Sequence, residues 1–168
     1  MSTPAATPPQ PPARKHMAGF LKSPAGVLRL LQVLFGGGLW VTIAANKYEG
    51  SIHFVLLVAV LFWLLTLALF AVTLLDKQDL VPVAGGPRWL LSNLLHDAAA
   101  AALYAPAVAV MAYKTQRNEY CNLTLYRRPC LYKVYLTAAV FAGLGAAAYL
   151  LSAALHGRRK CRGEETVF

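Results

Sequence analysis

FVLLVAVLFWLLTLALFAVTLL, residues 54–75, decides the fold, because these 22 residues contain no ionisable side chain. At about 1.5 Å of rise per residue, a helix of this length covers roughly 33 Å, and the hydrocarbon core of a bilayer is about 30 Å thick. In water such a helix would have to be buried on all sides, which a chain of 168 residues could achieve at most once. We therefore predict that this stretch crosses a membrane.

The composition of the whole chain indicates the same class of protein. Hydrophobic residues make up 58% of it and charged residues 14%, whereas soluble domains carry about 25% charged residues. The formal charge of +9 comes from Lys and Arg that flank apolar segments, which favours attraction to a membrane surface. We expect the lipid bilayer to be the partner, and no nucleic acid.

Four apolar segments predict four membrane spans. The first begins at Pro24, a residue favoured at the start of a helix, and the connection of residues 46–51 is short enough to make the first two spans an antiparallel hairpin. The sequence therefore predicts an all-α fold, a four-helix transmembrane bundle of residues 23–156. Its predicted spans are residues 24–45, 51–75, 88–113 and 131–155.

The basic residues near the span ends predict the orientation. Of the 16 Lys and Arg, ten lie on the side of both termini and six on the other side. An excess of Lys and Arg favours the cytosolic side, so we expect cytosolic termini in the cell membrane and vesicle membranes. Residues 1–22 are rich in Pro and poor in apolar side chains, which favours a disordered tail over a polyproline ligand for an SH3 or WW domain.

Two cysteines bound the connection between the third and fourth spans. Cys121 and Cys130 have eight residues between them, which suggests a disulfide on the lumenal or extracellular side; two unpaired thiols are the alternative. Asn122 begins a formal glycosylation acceptor in the same loop. We predict that Asn122 is not glycosylated, because it lies close to the membrane and beside a bridged cysteine.

Small residues predict where helices pack closely. Gly36, Gly37 and Gly38 should let a neighbouring backbone approach the first span. In the fourth span, Ala139, Gly143 and Ala147 follow one another at intervals of four, which predicts a packing face.

Asp97 lies about nine residues into the third span, about 13 Å deep by helical rise, where a carboxylate is costly and usually faces the bundle interior. Asn93 lies one turn earlier on the same face. Arg29 in the first span is the natural counter-charge, although its long stem can also snorkel to the headgroups. The cluster is either a proton or ion relay or a structural clasp between spans one and three. The other spans contain no second carboxylate, which favours the clasp.

The tail of residues 157–168 carries two candidate sites. Cys161 lies in a basic cluster that attracts anionic inner-leaflet lipids, which favours S-palmitoylation no more than an ordinary thiol. Thr166, Val167 and Phe168 have the pattern of a PDZ ligand, a candidate contact to a PDZ scaffold. No catalytic, metal-binding or cofactor-binding pattern is present, since the four histidines are scattered along the chain. We therefore expect no enzymatic activity.

Several motifs together resemble one family. The loops are too short for a claudin or a tetraspanin. The informative segments of residues 20–156 are FLKSPAGVLRLLQ, NKYEG, HFVLLVAVLFWLLTL, RWLLSNLLHDAAAAALY and the loop of Cys121 and Cys130. Together they resemble the MARVEL family of four-span vesicle and junction proteins.

The resemblance implies a MARVEL bundle with cytosolic termini, working at cholesterol-rich membranes and in vesicle trafficking rather than in catalysis. It further implies links to cell adhesion, the cytoskeleton and growth restraint, and homo- or hetero-oligomers with other MARVEL proteins. A membrane organiser is therefore the favoured function, and a small channel or transporter built around Asp97 is the alternative.

Overall fold

The computed structural model describes residues 19–46, 50–75, 88–121 and 130–163. No strand occurs in these residues, and all four helices are long and apolar enough to cross a membrane. The predicted all-α, four-helix transmembrane fold is confirmed. The helices are α1 (Pro24–Ala44), α2 (Ile52–Leu74), α3 (Trp89–Arg117) and α4 (Tyr132–Cys161), with a 3₁₀ turn at Glu119–Cys121.

All four helices start within one residue of the starts of the predicted spans, and α1 starts at the predicted residue, Pro24. However, α3 continues four residues beyond the predicted span, to Arg117, and α4 continues six, to Cys161. Lys, Gln and Arg in these extensions are good helix formers. The hydrophobic pattern therefore marked where the apolar part ends, and the helices run on past it.

The chain is structured before the predicted start of the bundle. Pro24 is the first residue of α1, and the Ser23 side chain caps the helix by accepting a hydrogen bond from a backbone amide of the first turn at 3.1 Å. Residues 19–22 are also helical, and the buried ring of Phe20 packs against Phe70, with 6.0 Å between centroids. The structured part therefore begins before residue 23; residues 1–18 of the tail lie outside the described residues.

The four helices form a ring in which each packs against two others. Helix α1 contacts α2 and α4, and α3 contacts the same two, so that α1 and α3 are diagonal to each other. Large apolar side chains point outward from every helix, and one example from each helix is more than half exposed: Leu34, Leu57, Leu95 and Leu150. Patches of this extent would be a liability in water, and they suit a surface that faces lipid.

The interior of the bundle has two parts. Towards the α1–α2 and α3–α4 connections it is apolar, with a cluster that includes Leu39, Ile43, Val55, Met111 and Ala138. Towards the other end, where α1 begins and α4 ends, buried polar side chains from several helices meet. We call this second end the terminal end of the bundle.

The glycine run in α1 accommodates aromatic rings rather than a neighbouring backbone, which corrects the prediction. A Cβ atom on Gly38 would lie 2.9 Å from the Phe141 ring of α4. A Cβ atom on Gly37 would lie 3.2 Å from Nε1 of Trp63 in α2. The absent side chains therefore admit one ring from each neighbouring helix.

The predicted packing face of α4 was also wrong. Ala147 is exposed, and a Cβ atom added to Gly143 would meet nothing within 4 Å. The buried face lies about one residue further round the helix, and it includes Ala138, Ala142, Gly145, Ala148, Tyr149 and Ser152. Both faces are rich in small residues, so their spacing alone did not distinguish them.

Candidate functional site

Asp97 is the centre of a polar cluster inside the terminal end of the bundle. Its side chain is completely buried. Its Oδ1 accepts a hydrogen bond from Nη1 of Arg29 in α1 at 2.6 Å, and its Oδ2 accepts one from Oγ of Ser152 in α4 at 2.7 Å. One carboxylate therefore connects three helices.

Arg29 points into the bundle and does not snorkel to the headgroups. Only 3% of its side chain is exposed. Besides its bond to Asp97, Nη1 donates to Oε1 of Gln32 at 2.8 Å, and Nη2 donates to Oδ1 of Asn93 at 2.6 Å. The amide of Asn93 donates in turn to the Trp89 carbonyl at 2.8 Å, which fixes the orientation of the acceptor. The three residues of the predicted clasp thus lie in direct contact.

Two histidines complete the cluster, which the scattered positions of the four histidines in the sequence did not predict. Nδ1 of His96 lies 3.0 Å from Oδ1 of Asp97, and Nδ1 of His156 lies 3.1 Å from Oδ2. The sequence did contain a signal for the second: Ser152 and His156 are four apart, on one face of an otherwise apolar helix. Gln32 gave a similar signal, because it lies one turn after Arg29 in α1, and it was missed as well.

The charges inside the cluster balance. Arg29 contributes one positive and Asp97 one negative charge, and Nδ1 of each imidazole lies within hydrogen-bond distance of a carboxylate oxygen. Nε2 of His96 and Nε2 of His156 are buried and have no partner among the described residues. Buried charges are tolerated when they are paired and hydrogen-bonded, and both conditions hold here.

A second polar contact crosses the other diagonal of the bundle. The hydroxyl groups of Thr66 in α2 and Tyr149 in α4 lie 2.7 Å apart. The Tyr149 ring contacts His96, at 5.9 Å between centroids, and Tyr104, at 5.2 Å. The interior polar groups therefore involve all four helices.

The far end of the bundle contains the predicted disulfide between Cys121 and Cys130, whose Cα atoms are 5.6 Å apart. It joins the 3₁₀ turn after α3 to the start of α4. The residues between the two bridged cysteines, which include Asn122, lie outside the described residues. No group of His, Cys, Asp and Glu in the described part of the chain could hold a metal ion.

At the terminal end, Cys161 is the last residue of α4 and is exposed as a free thiol. Basic side chains fill the last turn of this helix, which places them next to Cys161. Thr166, Val167 and Phe168 lie outside the described residues.

The chain is similar to known proteins along most of its length. It is 66% identical over 160 residues to MARVEL domain-containing protein 1 of Danio rerio, covering 95% of this chain and 99% of that protein. It is 34% identical over 140 residues to plasmolipin of Rattus norvegicus, covering 80% of this chain and 70% of that protein. No solved structure gives a significant match.

The family comparison covers the whole bundle. The MARVEL sequence profile, described as a membrane-associating domain, matches residues 20–155. This range begins at the buried Phe20 and ends one residue before His156, so it includes almost the whole Asp97 cluster and all four apolar helices. The chain belongs to the MARVEL family of membrane proteins.

Proposed function

We propose that this chain is a non-enzymatic membrane organiser that acts in vesicle trafficking or at sites of cell adhesion. The observation that carries the proposal is the saturation of Asp97, whose two oxygens are both occupied by donors from within the bundle. A bundle with a closed interior and an apolar outer surface is suited to keep a fixed shape among lipids. Its contacts with other molecules are then made by its surface, loops and tails.

The cluster acts as a clasp because opening the bundle would separate Arg29 from Asp97. Each ion would then be uncompensated in hydrocarbon, at a cost of several kcal/mol per ion. The contact links diagonal helices, and Ser152 and His156 bring α4 into the same cluster. The clasp therefore holds α1, α3 and α4 together, and the contacts of an organiser with its partners are expected at the surface.

The partners of an organiser are expected at the two ends of the bundle. The resemblance to MARVEL proteins supports cytosolic termini, cholesterol-rich membranes, and oligomers with other family members. A PDZ scaffold or a cytoskeletal partner would bind the C-terminal tail, and the PDZ scaffold would do so at Phe168. Links to the cytoskeleton and growth restraint rest on the resemblance alone.

Proximity labelling from the C-terminus in living epithelial cells tests the organiser function. Full-length protein is compared with a version that lacks Phe168, and a Lys15→Gln variant in the opposite tail serves as the control. Labelling of junctional, vesicular or cytoskeletal scaffolds that is lost only without Phe168 supports an adaptor acting through its tail. If every version labels only general membrane proteins, the tail contact is wrong.

A small channel or transporter is the second candidate, because two imidazoles contact the intramembrane carboxylate. A proton relay needs titratable groups at successive depths, however, and His96, His156 and Asp97 all lie at one depth. Proton flux into liposomes containing the purified chain decides between the two functions. Flux that Asp97→Asn abolishes would establish the channel, whereas flux equal to that of empty liposomes favours the organiser.

A further inference from the structure

A groove on the outside of the bundle runs between α1 and α4. It has a volume of about 290 Å³, and it is lined by Leu28 of α1 and by four residues of α4: Leu151, Ala154, Leu155 and Arg158. The four α4 residues are spaced three, four and seven apart from the first, so they lie on one helix face. The groove is thus lined by apolar side chains and by one positively charged side chain, that of Arg158.

The cation lies at the headgroup end of the groove. Leu28 is four residues from the start of α1, and Arg158 is three residues from the end of α4. Both helix ends belong to the terminal end of the bundle, where hydrocarbon gives way to headgroups. The groove therefore begins in the hydrocarbon layer and ends at a guanidinium at the level of lipid phosphates.

Charge at this end favours an anion. Arg158 is exposed, and its guanidinium has no acceptor among the described residues. Lys160 and Arg162 follow it closely and are also exposed. Among the described residues of the terminal end, the one acidic side chain is Asp97, which is buried and paired with Arg29.

The lining of the groove favours an acyl chain over a sterol. A flexible hydrocarbon chain can follow Leu28, Leu151 and Leu155. A sterol would fill part of the apolar wall, but its neutral hydroxyl group would leave the cation without a counter-ion.

We propose that this groove binds one anionic glycerophospholipid, with an acyl chain along the leucines and the net negative headgroup on Arg158. The guanidinium can hold two oxygens of a phosphate or a carboxylate at once, which a lysine cannot do. This site is more specific than the general attraction of basic residues to a membrane. It depends neither on the Asp97 clasp nor on the organiser function proposed above.

Native mass spectrometry of the purified full-length chain in detergent tests the site. The probes are phosphatidylserine and phosphatidylcholine with identical acyl chains, cholesterol, and phosphoserine as a headgroup without chains. We expect one phosphatidylserine molecule to be retained about fivefold better than phosphatidylcholine, which corresponds to about 1 kcal/mol for one contact with a cation. Phosphoserine should not displace it.

Two variants remove the site, and two matched controls leave it intact. Arg158→Gln removes the cation, and Ala154→Phe fills the groove; each should abolish the preferential retention. Lys160→Gln removes a charge from the same cluster, and Leu150→Phe enlarges an outward side chain of the same helix that does not line the groove. Both controls should keep the bound lipid. If Ala154→Phe does not fold, Arg158→Gln against Lys160→Gln decides.

Several results would overturn the proposal. Equal retention of the two phospholipids would show that the net negative charge of the headgroup is not recognised, and preferential retention of cholesterol would assign the groove to a sterol. Displacement by phosphoserine would indicate an anion site without a lipid chain. An equal loss in Lys160→Gln would reduce the effect to general charge, and a dimer that Ala154→Phe dissociates would assign the groove to a second copy of the chain.

Discussion

Nη1 of Arg29 and Oδ1 of Asp97 lie 2.6 Å apart across the diagonal of the bundle, although their helices are not neighbours in the ring. The small and polar side chains around them allow the two helices to be joined through the centre. The contact is completely enclosed, because neither side chain is more than 3% exposed. It therefore constrains the relative position of α1 and α3 directly.

Removing one partner of this ion pair should destabilise the bundle more than removing both partners. Arg29→Gln or Asp97→Asn each leaves one uncompensated buried charge, and each should lower the free energy of unfolding by about 3 kcal/mol. The double variant contains no charge and should recover part of the loss. The measurement is helical content by circular dichroism during denaturation in mixed micelles. Leu95→Ala on the lipid-facing side of α3 is the control. A double variant that loses the sum of both single effects would show that the residues are not coupled.

The two donors to the other oxygen of Asp97 should act together. Ser152→Ala and His156→Phe each remove a hydrogen bond to Oδ2, at an expected cost of about 1–3 kcal/mol for a bond to a charged group. Because both donors contact one oxygen atom, the two effects should not be additive. Unfolding of the single and double variants measures the coupling, and strictly additive losses would contradict the shared site.

Two glycines should respond to the same substitution in opposite ways. Gly38→Ala brings a methyl group to 2.9 Å from the Phe141 ring, and overpacking of this kind costs about 1–3 kcal/mol. Gly143→Ala meets nothing within 4 Å and should be neutral or stabilising by up to about 1 kcal/mol, because alanine favours helix. Denaturation in mixed micelles compares the two. Equal losses would mean that α4 packs by the other face.

The disulfide should stabilise the far end of the bundle. Cys121 and Cys130 are separated by nine positions, and closing a loop of this length contributes about 2.5 kcal/mol. Cys121→Ser should therefore lower the stability by about this amount, whereas Cys161→Ser should leave it unchanged. Peptide mapping without reductant checks the bridge itself, and a linked pair that includes Cys161 would contradict the assignment.

The exposed thiol of Cys161 tests the orientation. With cytosolic termini, a membrane-impermeant maleimide should label Cys161 in cells only after permeabilisation, and Cys161→Ser should remove the signal. The bridged Cys121 and Cys130 do not react under either condition, so the label reports one position. Labelling of intact cells would place the termini outside and reverse the predicted orientation.

The sequence by itself determined the fold class, the four helices and the residues that had to be neutralised inside them. Continuous apolar stretches in the length range of a bilayer leave few alternatives, because unpaired backbone groups and charges are costly in hydrocarbon. The same cost identified Asp97 and its counter-charge Arg29, and two cysteines in one short loop identified the bridge.

The tertiary structure alone decided which faces meet. The small residues of α4 offered two faces one residue apart, and the packed rings of Phe141 and Tyr104 selected the one that contains Gly145. It also decided that His96 and His156 share one carboxylate, since rotation and depth of one helix relative to another arise only from packing. The groove beside Arg158 has the same origin, because its walls come from helices at opposite ends of the chain.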